Sequence, residues 1–147
     1  MRSFEAATRI DAGPAVVWEL LTDVGGWRDW NSGVDRVEGR VALGERLTIY
    51  ATMIRSRPFP VTVVELRPQE AMRWRGGLPL GLAVIERTYH LDAQDDGGTV
   101  LTVREVQSGT LAFWTERHTP DLNPSFRQFC AGVKAQAERR SSTGARP

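Results

Sequence analysis

Arg87, Tyr89 and Glu105 carry the side chains best suited to polarising a carbonyl or moving a proton, and the turn between them decides whether they meet. Asp95-Asp96-Gly97 suits a three-residue hairpin loop with Gly97 in the left-handed conformation at its end. With Gln94 facing Gly98, the register sets Leu91 opposite Leu101, Tyr89 opposite Val103 and Arg87 opposite Glu105. Residues paired in this way point to the same side of a sheet. A guanidinium, a phenol and a carboxylate then share a face with apolar neighbours. Two readings stay open. The charge pair is the polar end of a cavity, or it lies near a strand end and reaches water, where such pairs contribute roughly 0–1 kcal/mol.

Other chemistries find little support. The glycine pairs at 25–26, 76–77 and 97–98 fall at turns and form no phosphate-binding loop. Ser108 lacks the second glycine and the strand–helix context of a nucleophile elbow. His90 and His118 are far apart and in no metal-binding spacing, and Cys130 is alone, which excludes an internal disulfide and a multi-cysteine zinc site. No metal and no cofactor are expected. His90 falls on the face opposite Tyr89, towards solvent, and His118 reads as a surface histidine.

Charge narrows the partners. Nineteen basic against eighteen acidic residues give a net +1, so no global field favours nucleic acid or an anionic membrane. Arg55, Arg57, Arg73 and Arg75 read as a solvated face paired with Glu65 and Glu70, because Trp74 alternates with the last two and turns inward. Nucleic acid is therefore not an expected partner. The segment MRSFEAATRID has no apolar core of signal-peptide length and no run approaches a membrane span, so the expectation is a cytoplasmic chain without stable membrane insertion.

The elements that position these residues follow from periodicity. A strand-like run from Ser3 to Ile10 leads to Pro14, which suits the first turn of a helix. Val17, Leu20, Leu21 and Val24 repeat at helical spacing and Gly25-Gly26 stops that helix; Trp27 and Trp30 lie together if one more helical turn follows. Period two then takes over. Leu47, Ile49, Ala51 and Met53 share one face of a strand near 45–54. Val64 and Leu66 precede a turn at Pro68-Gln69-Glu70, after which Met72 and Trp74 resume the apolar face. A last helix has Asn123 as N-cap, Pro124 in its first turn and a stripe of Phe126, Phe129, Cys130, Val133 and Ala137. Gly132 inside it lets another backbone come close or leaves open space. With 147 residues and 41% hydrophobic content the chain suits one domain, residues 1–140, with 141–147 as a disordered tail.

Pro14-Ala-Val-Val-Trp-Glu-Leu-Leu-Thr-Asp23, Trp27-x-x-Trp30-Asn31, Val63-Val-Glu-Leu-Arg-Pro68 with Met72-x-Trp74, Tyr89-x-Leu91 with Gly97-Gly-Thr-Val-Leu-Thr102, and Phe126-x-x-Phe-Cys-x-x-Val133 occur in an order that resembles the START-related SRPBCC proteins. These are often labelled polyketide cyclase/dehydrase and lipid transport, within the birch-pollen-allergen superfamily. The resemblance implies an α+β helix-grip fold: a curved antiparallel β-sheet wrapped around a long C-terminal α-helix, with short helices after the first strand and an apolar cavity between. Pro120 and Pro124 depart from the family pattern. They make the segment from Thr110 to Asn123 a lid-like loop or kinked turn, with Leu111, Phe113 and Trp114 apolar enough to cover a cavity mouth.

On that fold the expected lining is Trp30 from the corner and Ile49, Ala51 and Met53 from the strand near 45–54. Trp74, Tyr89, Leu101 and Val103 join them from the sheet, and Phe126, Phe129 and Val133 from the last helix, with Arg87 and Glu105 as polar contacts. Two functions compete. The first is carriage or sensing of a hydrophobic small molecule such as a lipid, isoprenoid or polyketide, by a monomer or homodimer. The alternative is a polyketide aromatase/cyclase-dehydratase, with Glu105 as base, Arg87 polarising a ketone and Tyr89 donating a proton. An interaction module is a third class that no residue supports. The non-enzymatic reading is preferred.

Overall fold

A computed structural model describes residues 1–55, 57–113, 117 and 120–144. Strand β1 (Arg2–Ile10) is followed by helix α1 (Pro14–Thr22) and a 3-10 turn (Val24–Asp29). Then come β2 (Val34–Glu38), β3 (Arg46–Ala51), β4 (Pro58–Arg67), β5 (Ala71–Leu78), β6 (Ala83–Ala93) and β7 (Thr99–Ser108). Helix α2 (Asn123–Gly144) ends the described chain. The strands form one antiparallel sheet in the order β1-β7-β6-β5-β4-β3-β2. This is the α+β helix-grip fold: a curled sheet with a long C-terminal helix.

The inner face of the sheet is legible strand by strand. In β7, Leu101, Val103, Glu105 and Gln107 are buried while Arg104 is exposed, as period two requires. The β6–β7 register pairs Leu91 with Leu101, Tyr89 with Val103 and Arg87 with Glu105. Gly97 sits at φ 90°, and the Gln94 N–H donates to the Gly98 carbonyl at 2.8 Å, which closes the loop.

Four local expectations need correction. Helix α1 ends at Thr22, ahead of the glycines, and Gly25-Gly26 lie inside the 3-10 turn that swings Trp27 into the core. Val64 does not face inward: a bulge between Val63 and Glu65 shifts the pairing, so Val63 opposes Trp74 and is fully buried. Strand β3 ends at Ala51, and Met53 sits in a 3-10 turn (Thr52–Ile54). Asn123 is the first residue of α2, not its cap; the Leu122 carbonyl accepts the Phe126 N–H.

The Asn123 side chain has another task. Its Oδ1 accepts the N–H of Glu5 at 3.0 Å. Further along α2, Glu138 accepts the Asp11 N–H at 2.9 Å and the Lys134 ammonium donates to the Arg9 carbonyl at 2.9 Å. Strand β1 is an edge of the sheet, and its unpaired backbone groups are a liability unless covered. Helix α2 covers them with side chains. The helix also runs through Ser141–Gly144, residues the sequence reading gave to a disordered tail; 145–147 lie outside the described residues.

Gly132 settles its two alternatives. A Cβ there would stand 2.4 Å from the Asn31 carbonyl oxygen and 2.8 Å from the Trp30 ring, so the glycine admits the Trp corner against α2. The corner is an aromatic hub. Trp27 is fully buried, donates its indole N–H to the Leu20 carbonyl at 3.0 Å, stacks on Trp74 at 5.6 Å and meets Phe129 edge-on at 4.8 Å.

Candidate functional site

Between the inner face of the sheet and the first turns of α2 lies a cavity of about 310 Å³. That is near the lower end of the roughly 300–1,000 Å³ common for small-molecule sites. Its walls are mainly apolar. Ile49 and Ala51 come from β3, Met53 from the turn after it, Tyr89 from β6, Val103 from β7, and Phe126 and Phe129 from α2. Trp30, Trp74, Leu101 and Val133 do not line it. Trp74, Leu101 and Val133 are fully buried in the packed core, and Trp30 lies outside, against Phe129 and Gly132. Trp27 takes the place expected of Trp30, because the 3-10 turn points it inward.

The polar end of the cavity is built from consecutive inward positions of β6 and β7. Arg87 donates through both Nε and Nη2 to Oε1 of Glu105, at 3.1 and 2.8 Å. The second carboxylate oxygen, Oε2, accepts the Gln107 amide at 2.9 Å. The Arg87 guanidinium lies 4.9 Å from the centre of the Phe126 ring, and Tyr89 is the next inward residue on β6. Arg87 keeps 18% side-chain exposure and Glu105 only 2%, so the pair is internal and the water-facing alternative does not hold. Gln107 is the residue that sequence reasoning passed over, though it continues the period-two face of Leu101, Val103 and Glu105. Its Oε1 is buried without a hydrogen-bond partner among the described residues.

Electrostatics follow from this geometry. Burial alone would make Arg87 easier to deprotonate, but the adjacent Glu105 charge overrides it and raises its pKa further. Arg87 is a permanent cation. Burial raises the Tyr89 phenol above its ordinary value, against the pull of Arg87, so Tyr89 is a neutral hydrogen-bonding group at pH 7. Glu105 has both oxygens engaged, and its evident task is to hold Arg87 in place.

The mouth lies where the lining is exposed, at Met53, Arg57 and Pro120, with Ile54, Phe59, Leu122 and Ser125 half-buried. Phe113 does not fold over it; that side chain is 60% exposed. Trp114 and His118 lie outside the described residues. His90 is exposed on the outer face. The outer arginines pair with Glu65 and Glu86 rather than with Glu70: Arg73 reaches Glu65 at 3.1 Å and Arg75 reaches Glu86 at 2.8 Å. Among the described residues no cluster of three metal-ligating side chains occurs.

The family model for polyketide cyclase / dehydrase and lipid transport matches residues 1–138. The chain belongs to this family. Solved structures repeat its fold. An aromatase/cyclase from Streptomyces sp. R1128 is 18% identical, with a TM-score of 0.69 and 98% of each chain covered. A protein of Thermus thermophilus is 16% identical with a TM-score of 0.71, covering 95% of this chain and 99% of the other. A di-domain aromatase/cyclase from the BE-7585A biosynthetic pathway is 17% identical with a TM-score of 0.69; the match covers 94% of this chain and 47% of that one. No curated protein matches the sequence. At these identities the likeness establishes the helix-grip fold. No described helix of this family member is long and apolar enough to cross a membrane.

Proposed function

We propose that the protein binds a hydrophobic small molecule in the cavity, with one polar end of the ligand held against Arg87 and Gln107. The observation that carries this reading is the asymmetry of the walls: aliphatic and aromatic side chains on nearly all sides, and one cation fixed by a buried carboxylate at one end. Burial of apolar surface at about 25 cal/mol per Å² brings micromolar affinity within reach without further chemistry. The polar end adds orientation. Arg87 offers donors to a carbonyl or enolate oxygen, and the Gln107 amide steadies the Glu105 carboxylate that fixes Arg87. A lipid, an isoprenoid or a polyketide meets these requirements.

The family and the aromatase/cyclase neighbours favour a second reading, in which the bound molecule is a poly-β-ketone and the protein cyclises it. In that case Arg87 polarises a ketone oxygen and Tyr89 supplies a hydrogen bond, while Glu105 is a weak candidate for the base because both of its oxygens are already bonded.

Native mass spectrometry of the purified protein, followed by solvent extraction, tests the binding reading. A co-purifying apolar mass supports it. So does saturable binding of the dye ANS that the Ala51→Trp substitution, which fills the cavity from β3, removes without lowering Tm. Dye binding unaffected by Ala51→Trp, with no co-purifying molecule, would sink it. Turnover of a poly-β-ketone that Arg87→Met abolishes would move the assignment to the cyclase.

A further inference from the structure

The strands of an antiparallel sheet place alternate turns at the same end, and here the ends of β3, β5 and β7 share an end with the cavity mouth. Seven large apolar side chains are exposed among the described residues, and all except Leu43 lie at this end: Met1, Met53, Leu78, Leu80, Leu82 and Phe113. Leu80 is the extreme case, 95% exposed at the tip of the β5–β6 hairpin. The segment carrying Phe113 is tied to that hairpin by the Leu111 N–H, which donates to the Leu82 carbonyl at 2.7 Å. A soluble surface rarely gathers its apolar side chains in this way without a use for them.

Arg55, in the β3–β4 turn, and Leu80 hold left-handed backbone at φ 56° and 61°, as does Gln69 at φ 63° in the β4–β5 turn of the opposite end, so backbone strain does not distinguish the two ends. The charge distribution says what covers this one. The outer-face arginines 67, 73 and 75 are matched with carboxylates, whereas Arg55, Arg57 and Arg117 meet no carboxylate among the described residues. Asp35 and Asp121, the carboxylates nearby, accept hydrogen bonds from Thr52 and from the Asn123 backbone. Apolar prongs on the β5–β6 hairpin, the turn after β3 and the segment carrying Phe113, together with arginines that meet no carboxylate among the described residues, fit a fluid anionic surface better than the flat complementary face of a protein.

We propose that this end docks reversibly onto an anionic lipid bilayer. Leu78, Leu80, Leu82 and Phe113 enter the boundary between headgroups and acyl chains, and Arg55 and Arg57 rest on lipid phosphates. Because Met53 and Arg57 belong both to this surface and to the cavity lining, a docked molecule opens its cavity directly onto the membrane. The docking goes beyond the binding reading and does not depend on it, since the dye experiment reports on the cavity and the vesicle experiment on the surface.

Co-sedimentation with phosphatidylcholine vesicles, with and without phosphatidylserine, provides the test. The wild-type protein is expected to pellet with the mixed vesicles, weakly with phosphatidylcholine alone, and less as salt rises. Leu80→Asn keeps a residue that tolerates the left-handed backbone, so it folds with an unchanged or higher Tm while its partitioning falls by about tenfold. Arg55→Gln with Arg57→Gln removes the preference for phosphatidylserine, and Leu43→Asn, at the opposite end, changes nothing. Wild-type protein remaining in the supernatant with mixed vesicles overturns the proposal, as does equal pelleting of Leu80→Asn and Leu43→Asn. Light scattering that shows a dimer abolished by Leu80→Asn, with no vesicle binding, overturns it in favour of a second copy as the occupant.

Discussion

Arg87 and Glu105 face each other across β6 and β7 and share a single oxygen, because both guanidinium donors reach Oε1 and leave Oε2 to Gln107. Removing one member of a buried pair leaves the other charge uncompensated, whereas replacing both by apolar groups is often close to neutral. Arg87→Met is therefore expected to lower stability by about 3 kcal/mol, and Arg87→Met with Glu105→Leu to regain most of that loss. Urea midpoints of the two variants decide it. A single variant within about 1 kcal/mol of wild type would mean that water screens the pair after all.

Gly132→Ala sets two effects against each other. Alanine favours a helix by about 1 kcal/mol over glycine. Its Cβ, however, would stand 2.4 Å from the Asn31 carbonyl, a backbone atom that cannot rotate away. The clash wins, and a net destabilisation of about 1–3 kcal/mol is expected, seen as a lower Tm. A variant at least as stable as wild type would show that the Trp corner does not press on α2.

The Cys130 thiol lies on the buried stripe of α2, and burial pushes it up to about 12. At pH 8 the thiolate is then roughly one part in ten thousand of the total. Native protein should be inert to a chromogenic disulfide reagent and should react with one equivalent only in denaturant. Rapid labelling of the folded protein would contradict this.

Glu138 gives a pH dependence with a definite sign. The Lys134 ammonium and the Asp11 N–H hold its carboxyl below the ordinary 4.5. A folded pKa below the unfolded one stabilises the fold above pH 4.5 and loses that contribution as pH falls through the depressed value. Glu138→Gln should accordingly cost about 0.5–1 kcal/mol at pH 7 and progressively less as pH falls below 4.5. A difference independent of pH would mean that the amide packs poorly, and the charge would carry none of the effect.

Local rules carried the β6–β7 hairpin furthest. The loop Asp95-Asp96-Gly97 fixes one pairing, and period two fixes every partner after it, so Arg87 and Glu105 were placed together without a structure. The same alternation runs on to Gln107, which a longer reading of the strand would have reached. Alternation failed at Val64, because a bulge inserts one residue and nothing in the residue types of β4 marks it. It also failed at Met53, where β3 gives way to a 3-10 turn.

The sequence by itself determined most of the elements and their order, though not β2 or the 3-10 turns, together with the inward face of most strands and the apolar stripe of α2, since each follows from spacing of a few residues. Only the tertiary structure decided which inward side chains meet open space. Trp74, Leu101 and Val133 point inward as expected and are fully buried in the core, while Val103, Tyr89 and Phe129 line the cavity. The difference depends on where α2 and Trp27 come to rest across the sheet. That position is set by contacts between residues about a hundred apart, Gly132 against Asn31 and Asn123 against Glu5 among them, which no local periodicity encodes.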